Sequence, residues 1–344
     1  MSTDVQRSAF NVQRSAFNAE RLEPVVITCA ADSAFAAPLA VMVRSVLATA
    51  DPRRPIDLFV LDAGLTADDK RRLLASWASD RLHVAWITLE TSRLGGLPLW
   101  GRMPAATYAR LLIGDLLPAS CRRTLWLDSD AVLTRDVGDL WAADTGTGVI
   151  CAVQDLVVPY ADSSLGIQHH EAIGVDPEMP YFNAGVMLID LEAWRARHVA
   201  ERALEYLRTH WRHVTLWDQE GLNVALRGAW RPLDPRWNVI ASVSGRRFFT
   251  PEHLEPHAYQ EAVSDPWIVH FAGTWKPWLL SAANAYRRLY FSRLAETAWA
   301  GTRPARRWLG PLMRVYDSSL RDHTYGLERW WLRWVHLASR SRAA

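Results

Sequence analysis

An α/β fold, one Rossmann-like sheet with helices on both faces, is the class this sequence predicts, and three observations predict it. Between residues 25 and 155, short apolar runs rich in β-branched residues alternate with segments of helical periodicity. The chain has 344 residues, 49% of them hydrophobic, which suffices for one large core or a main domain with an appendage. Near residue 297 the character changes, and Arg and Trp at helical spacing take over. The expected organisation is a polar, weakly ordered arm over 1–23, an α/β domain over 24–296, and an α-helical basic extension over 297–344.

The elements follow in order. Residues 5–11 (VQRSAFN) recur unchanged as 12–18, a tandem copy in a polar arm. Val25 to Ala30 reads as a buried parallel strand, Asp32-Ser33 as an N-cap, and Pro38 to Leu47 as a helix with Leu39, Val43, Val46 and Leu47 inward. Ile56 to Leu61 is a second strand. A helix follows from Thr66, capped with Asp69 and carrying Leu73, Leu74 and Trp77. His83–Ile87, Thr124–Leu127 and Gly148–Val153 are further strands, and Thr107 to Leu117 is a helix. Beyond residue 155 the spacing predicts a strand over Tyr181–Ile189, one amphipathic helix from Leu191 to His210, a helix over Asp218–Leu226 with Asp218 as N-cap, and a last strand over Trp267–Phe271.

Charge excludes some functions. The net charge is only +2, so bulk electrostatics gives no sign of a nucleic-acid binder. The basic residues concentrate at the end: from Arg303 onward there are nine Arg against three acids. Cys29, Cys121 and Cys151 are odd in number and lack CxxC spacing, as expected of buried thiols in a reducing compartment. The polar start carries no leader-like apolar run, and no stretch reaches the roughly 18 apolar residues of a membrane span. A cytoplasmic protein is the expectation.

Two segments carry chemistry. In Leu125-Trp126-Leu127-Asp128-Ser129-Asp130, an apolar strand delivers two carboxylates at its carboxyl end, where open α/β sheets bind ligands. Alternate residues of an extended segment point the same way, so Asp128 and Asp130 can converge on one hard divalent ion, Mn²⁺ or Mg²⁺. Read alone, the pair equally fits a solvated turn. In Trp267 to Trp278, His270 at a strand end is a candidate third ligand, Gly273 allows backbone N–H groups close to a phosphate, and Lys276 offers a point charge. Only Lys70 and Lys276 among the 39 basic residues are lysine. A core histidine and a surface lysine are the plain alternatives.

Together these segments resemble family 8 glycosyltransferases, above all bacterial lipooligosaccharide galactosyl- and glucosyltransferases, with glycogenin more distant. The resemblance runs in order over roughly residues 25–280. It implies a GT-A-type catalytic domain, a UDP-sugar donor and a Mn²⁺ (or Mg²⁺) ion on Asp128, Asp130 and His270. Ala30 and Asp32 would hold the nucleoside, with Phe35 stacked on uracil; Ala34 departs from the polar residue often found there. Tyr108-Ala109-Arg110-Leu111 resembles the YxRL helix, whose Arg faces donor sugar and diphosphate. Ser129 lies between the metal ligands. Asp155 and the Asn183–Gly185 segment would line the sugar pocket. Asp218-Gln219-Glu220-Gly221-Leu222-Asn223 is similar to the DQxxLN helix start, and His270, Gly273 and Lys276 match the HxxGxxKPW closure.

The resemblance implies retention of anomeric configuration. A retaining glycosidase would use a carboxylate nucleophile. The residue expected at that face is Gln219, which favours front-face substitution, with Arg110 and Lys276 on the leaving UDP and Asp218 on donor hydroxyls or as fallback nucleophile. Expected partners are UDP-glucose or UDP-galactose and a saccharide or glycolipid acceptor, in cell-surface polysaccharide or lipopolysaccharide synthesis; a natural-product or protein acceptor is the alternative. A nucleotidyltransferase or phosphohydrolase would want more acids or a Gly-rich phosphate loop, and a non-catalytic sugar-nucleotide or membrane-binding protein would not need all three ligands. In the tail, Leu327, Trp330, Trp331, Trp334 and Leu337 form one helical stripe opposite Arg329, Arg333, His336 and Arg340, as in a helix lying on the cytoplasmic face of an anionic inner membrane.

Overall fold

The computed structural model describes residues 22–302 except 96, 98–104, 243, 245–250, 274–275 and 280–284. The repeated heptapeptide and the Trp–Arg tail beyond residue 302 lie outside the described residues. The order is β1 (Val25–Ala31), α1 (Ala36–Thr49), β2 (Ile56–Asp62), α2 (Ala67–Ser76), β3 (Leu82–Thr88), a 3₁₀ segment (Ala105–Leu112), α3 (Ile113–Leu116), β4 (Arg123–Leu127), β5 (Ala131–Leu133), α4 (Val137–Trp141) and β6 (Ile150–Gln154). There follow β7 (Phe182–Asp190), α5 (Leu191–Ala196), α6 (Val199–Thr209), α7 (Trp217–Leu226), β8 (Trp230–Pro232), β9 (Val239–Ile240), α8 (Pro256–Ser264), β10 (Ile268–His270) and α9 (Arg287–Leu294).

Seven strands form a mixed sheet in the order β3-β2-β1-β4-β7-β6-β8. β1 to β4 are mutually parallel, while β7 runs antiparallel to β4 and β6. Side chains alternate across it. Leu125 and Leu127 join the core under α1 and α9; Trp126 joins the opposite core with the 3₁₀ segment and α5 to α7. Helices thus cover both faces, as the α/β pattern predicts. A smaller sheet, β5-β10-β9, stands beside it. The first core extends through Trp299, so the packed body includes the first residues assigned to the extension. Among the described residues, no helix is long and apolar enough to cross a membrane.

Three expected helical details differ. The Thr107–Leu117 helix is mostly 3₁₀, because Tyr108, Ala109 and Leu111 are packed and Arg110 is tied to distant acids, so tertiary contacts override propensity. The helix expected over Leu191–His210 breaks at His198, which is left-handed with φ 51°; its apolar stripe continues past the break and conceals it. Asp218 does not cap α7. Leu216 occupies that position, and the buried Glu220 reaches back to Thr215 N at 2.6 Å and Leu216 N at 3.2 Å instead.

Candidate active site

The chain reverses its strand order between β1 and β4, with β2 and β3 on one side and β7, β6 and β8 on the other. Ligands of open α/β sheets bind in the crevice outside the carboxyl ends at such a switch point. Asp128, Ser129 and Asp130 leave β4 there. Ser129 Oγ donates to Ala30 O at 2.6 Å, joining the two strand ends. A tight turn (Ala131 N to Asp128 O, 3.0 Å) feeds β5. β10 then pairs antiparallel with β5, with His270 opposite Ala131 and Phe271 N donating to Asp130 O at 3.0 Å. That register carries a histidine 140 positions downstream to the acid pair.

Ligand atoms of Asp128, Asp130 and His270 all lie within 4.8 Å of one another, the one such group among the described residues. His270 Nε2 is 3.5 Å from Asp128 Oδ2 and 3.4 Å from Asp130 Oδ1. Burial opposes charge on the imidazole, but the hydrogen bonds and charges of Asp128 and Asp130 together outweigh it and push its pKa up to about 9. Gly185 lies against the ring face: a Cβ there would meet His270 Cε1 at 2.2 Å. Its carbonyl accepts from Asp128 N at 2.8 Å.

Three cations meet three acids. Arg110 Nη2 is 2.9 Å from Asp128 Oδ1, which also accepts from Trp126 Nε1 at 2.8 Å. Arg110 Nη1 donates to Ala184 O, and its guanidinium lies 5.1 Å from the Trp126 ring. Arg110 Nε approaches Asp218 Oδ2 at 2.7 Å, but off the N–H axis, so neither atom gains a hydrogen bond. Burial, aided by Asp128, pushes the Asp218 carboxyl up to about 6 against the pull of Arg110. Lys276 Nζ donates to Asp130 Oδ2 and, at 2.8 Å, to Phe271 O. Asp128 and Asp130 are held below the usual carboxylate range despite burial, by Arg110 and Lys276 respectively, with His270 acting on both.

A second set adjoins the first. Asp155 Oδ2 accepts from Asn183 Nδ2 at 2.8 Å and Gln219 Nε2 at 3.1 Å, while Gln219 Oε1 accepts from Ala184 N at 3.0 Å. Trp217, just before Asp218 and Gln219, holds a positive φ of 46°, the kind of strain that clusters at functional sites. Of the remaining candidates, Asp32 caps a 3₁₀ turn by accepting from Phe35 N at 3.1 Å, and Phe35 stands edge-on to Trp278 at 6.0 Å with Lys276 Nζ 5.7 Å from its ring. Gly273 has φ 76°, which only glycine adopts freely. The arrangement brings the strand-end acids, Arg110, His270 and Lys276 into one cluster and Asp155, Asn183, Gly185 and Gln219 into its neighbour.

Sequence reasoning missed Trp126, Glu220 and Asn238. Asn238 links the two sets, facing His270 Nδ1 at 3.0 Å and Asn183 Oδ1 at 2.9 Å. The one available signal was a polar residue set between apolar Trp237 and Val239-Ile240.

The donor set fits a divalent cation. Two carboxylates and an imidazole nitrogen converge, and the imidazole's other nitrogen has a polar partner, as metal-bound histidines require.

Comparison with known proteins gives a consistent result. The family model "Glycosyl transferase family 8" matches residues 26–282. General stress protein A of Bacillus subtilis is 29% identical over 80% of this chain and 94% of its own length. The lipopolysaccharide 1,2-glucosyltransferase of Escherichia coli is 26% identical over 65% of this chain and 64% of its own. The galactosyltransferase LgtC, solved with donor and acceptor sugar analogues, superposes with a TM-score of 0.68 at 26% identity over 79% of this chain and 96% of its own. The bifunctional WbbM shares the fold at 20% identity, with a TM-score of 0.69 over 83% of this chain and 52% of its own. With its GT-A architecture and its acid–histidine cluster at the sheet's switch point, this chain belongs to glycosyltransferase family 8 and is a glycosyltransferase.

Proposed function

We propose that the enzyme moves a hexose, glucose or galactose, from a UDP-sugar to a saccharide or glycolipid acceptor with retention of configuration, in cell-surface polysaccharide or lipopolysaccharide synthesis. The observation that carries the reading is the convergence of Asp128, Asp130 and His270 with Arg110 and Lys276 at one strand edge. Asp128, Asp130 and His270 would hold Mn²⁺ (or Mg²⁺), which when bound neutralises charge on the diphosphate.

The chain's own residues do the rest. Lys276 and Arg110, paired with Asp130 and Asp128, would face the leaving phosphate oxygens as preformed cations. Phe35 and Asp32 flank the nucleoside, with Ala30 and Ser129 beside it. Asp155 and Asn183 orient sugar hydroxyls, and Gly185 leaves room for the His270 ring beside them. Gln219 holds both amide atoms in hydrogen bonds and has no nucleophilic oxygen to offer, which supports front-face substitution with the acceptor proton leaving on phosphate. Asp218, with an unsatisfied buried oxygen, is the fallback nucleophile. The catalytic unit is assigned to 24–296 with the packed residues through Trp299, and the remainder of the Arg/Trp-rich extension is assigned to the membrane surface.

The test is a donor panel of UDP-glucose, UDP-galactose and other UDP-sugars, read by UDP release, with the product anomer determined by NMR. UDP-hexose turnover with a retained anomer is expected; release from none of the donors, or an inverted product, overturns the reading. A trapped glycosyl-Asp218 adduct would replace the front-face route with double displacement.

A further inference from the structure

Asn238 has no part in the roles assigned so far, although it lies between the two halves of the site. It is buried, at the end of the 3₁₀ turn Pro235–Asn238. Its orientation follows from a single fixed donor. The backbone N–H of Gly185 can only donate, and it points at the Asn183 side chain at 2.9 Å. The Asn183 atom there must be oxygen. Asn238 faces that same oxygen at 2.9 Å, so its nearer atom must be the amide nitrogen. Its own oxygen is therefore turned to His270 Nδ1, 3.0 Å away. His270 Nδ1 must then carry a hydrogen. The Gly185 amide thus fixes the orientation of both side-chain amides and the proton on the ring.

We infer that Asn238 is a positioning residue that keeps His270 protonated on Nδ1, so that Nε2, the nitrogen facing Asp128 and Asp130, is the one presented to a cation. The inference rests on the reading of His270 as a metal ligand. Histidine ligands donate their other N–H to an outer partner, and losing that partner costs about 10–100-fold in metal affinity. Asn238 also does more than a lone carbonyl acceptor would. Its Nδ2 holds Asn183 Oδ1, and Asn183 Nδ2 holds Asp155 Oδ2, the oxygen that Gln219 also reaches. One hydrogen-bonded chain runs from the metal ligand to the sugar-pocket residues.

Two substitutions separate the two halves of this role. Asn238→Ala removes both bonds. Asn238→Asp keeps an acceptor for His270 Nδ1–H but has no donor for Asn183 Oδ1. Mn²⁺ binding to the full-length protein, without donor, is measured by the free-ion EPR signal, and donor KM by UDP release. Asn238→Ala is expected to weaken Mn²⁺ roughly 10–100-fold, and Asn238→Asp less than about threefold while donor KM rises about tenfold. Equal Mn²⁺ affinity in wild type and Asn238→Ala overturns the inference, as does an Asp variant as weak as Ala. A direct readout does not depend on activity: two-bond ¹H–¹⁵N NMR of the His270 ring, taken at a pH high enough for the ring to be neutral. Nδ1 protonated in wild type is the expected result; an Nε2–H ring with bare Nδ1 refutes the assignment. A wild type that shows Nδ1–H yet binds no Mn²⁺ upholds the positioning role and sinks the metal reading alone.

Discussion

Gly185→Ala would place a methyl group where His270 already sits. A Cβ on Gly185 falls 2.2 Å from His270 Cε1, 2.7 Å from Nδ1 and 2.9 Å from Nε2. Ordinary carbon contact begins near about 3.5 Å, so the ring must retreat by more than about 1 Å. It has little freedom to do so: it is buried, bonded to Asn238 on one side and facing Asp128 and Asp130 on the other. Gly185 has no left-handed φ, so crowding alone makes the residue necessary. A displacement of this size at a ligand is expected to weaken Mn²⁺ about 10–100-fold, or roughly 1.4–2.7 kcal/mol, and to lower turnover by up to about 10²-fold. Overpacking should also lower folding stability by about 1–3 kcal/mol. Isothermal titration with Mn²⁺ and UDP-release kinetics read the first two effects, and urea unfolding the third. Wild-type Mn²⁺ affinity and turnover in Gly185→Ala would refute the placement of His270 against this glycine.

Other outcomes follow from the same geometry. Arg110→Ala removes the cation shared by Asp128 and Asp218 and should cut kcat by roughly 10²–10³-fold in steady-state assays, as loss of a preorganised donor does elsewhere. Mn²⁺ must displace the Nε2 proton of His270, so its apparent affinity should rise about tenfold per pH unit between about pH 7 and 9, a slope checked by calorimetry in several buffers. In the ion-free protein the sign for stability is opposite. The folded-state pKa of about 9 exceeds the ordinary histidine value of 6.5, so this stabilisation is complete below about pH 6.5 and is lost as pH rises through about 9, which melting in EDTA across pH will register. Glu220→Ala strands Thr215 N, Leu216 N and the Tyr206 hydroxyl, and should lower the urea midpoint by an amount equivalent to roughly 3 kcal/mol. Deleting residues 303–344 should abolish co-sedimentation with anionic liposomes, since nine of the chain's arginines lie there.

The parts of this site that the sequence made legible are those tied to strand ends. Asp128, Asp130 and His270 each follow an apolar run, and strand polarity alone aims such residues at the ligand edge. What stayed hidden depends on tertiary packing. Nothing local marks Asn238 as the hinge between His270 and Asn183, because its partners lie 32 and 55 positions away. Asp218 looked like a helix cap because acids favour that place, whereas the buried Glu220 performs the task from inside the helix. In the small β5-β10-β9 sheet only β10 was legible, as the strand expected over Trp267–Phe271; β5 and β9 escaped for another reason. Those two strands have three and two residues, too short for periodicity to register. That sheet nonetheless decides the site, since its register sets His270 beside Asp130.

The central claim is that Asp128, Asp130 and His270 form the metal site of a UDP-hexose transferase. UDP release from UDP-glucose and UDP-galactose, measured with Mn²⁺ and then with EDTA on wild type, Asp128→Asn and His270→Ala, tests it most directly. Wild type should turn over with Mn²⁺, stop in EDTA and recover when Mn²⁺ is added back, and neither variant should turn over. Full activity of both variants in EDTA would contradict it.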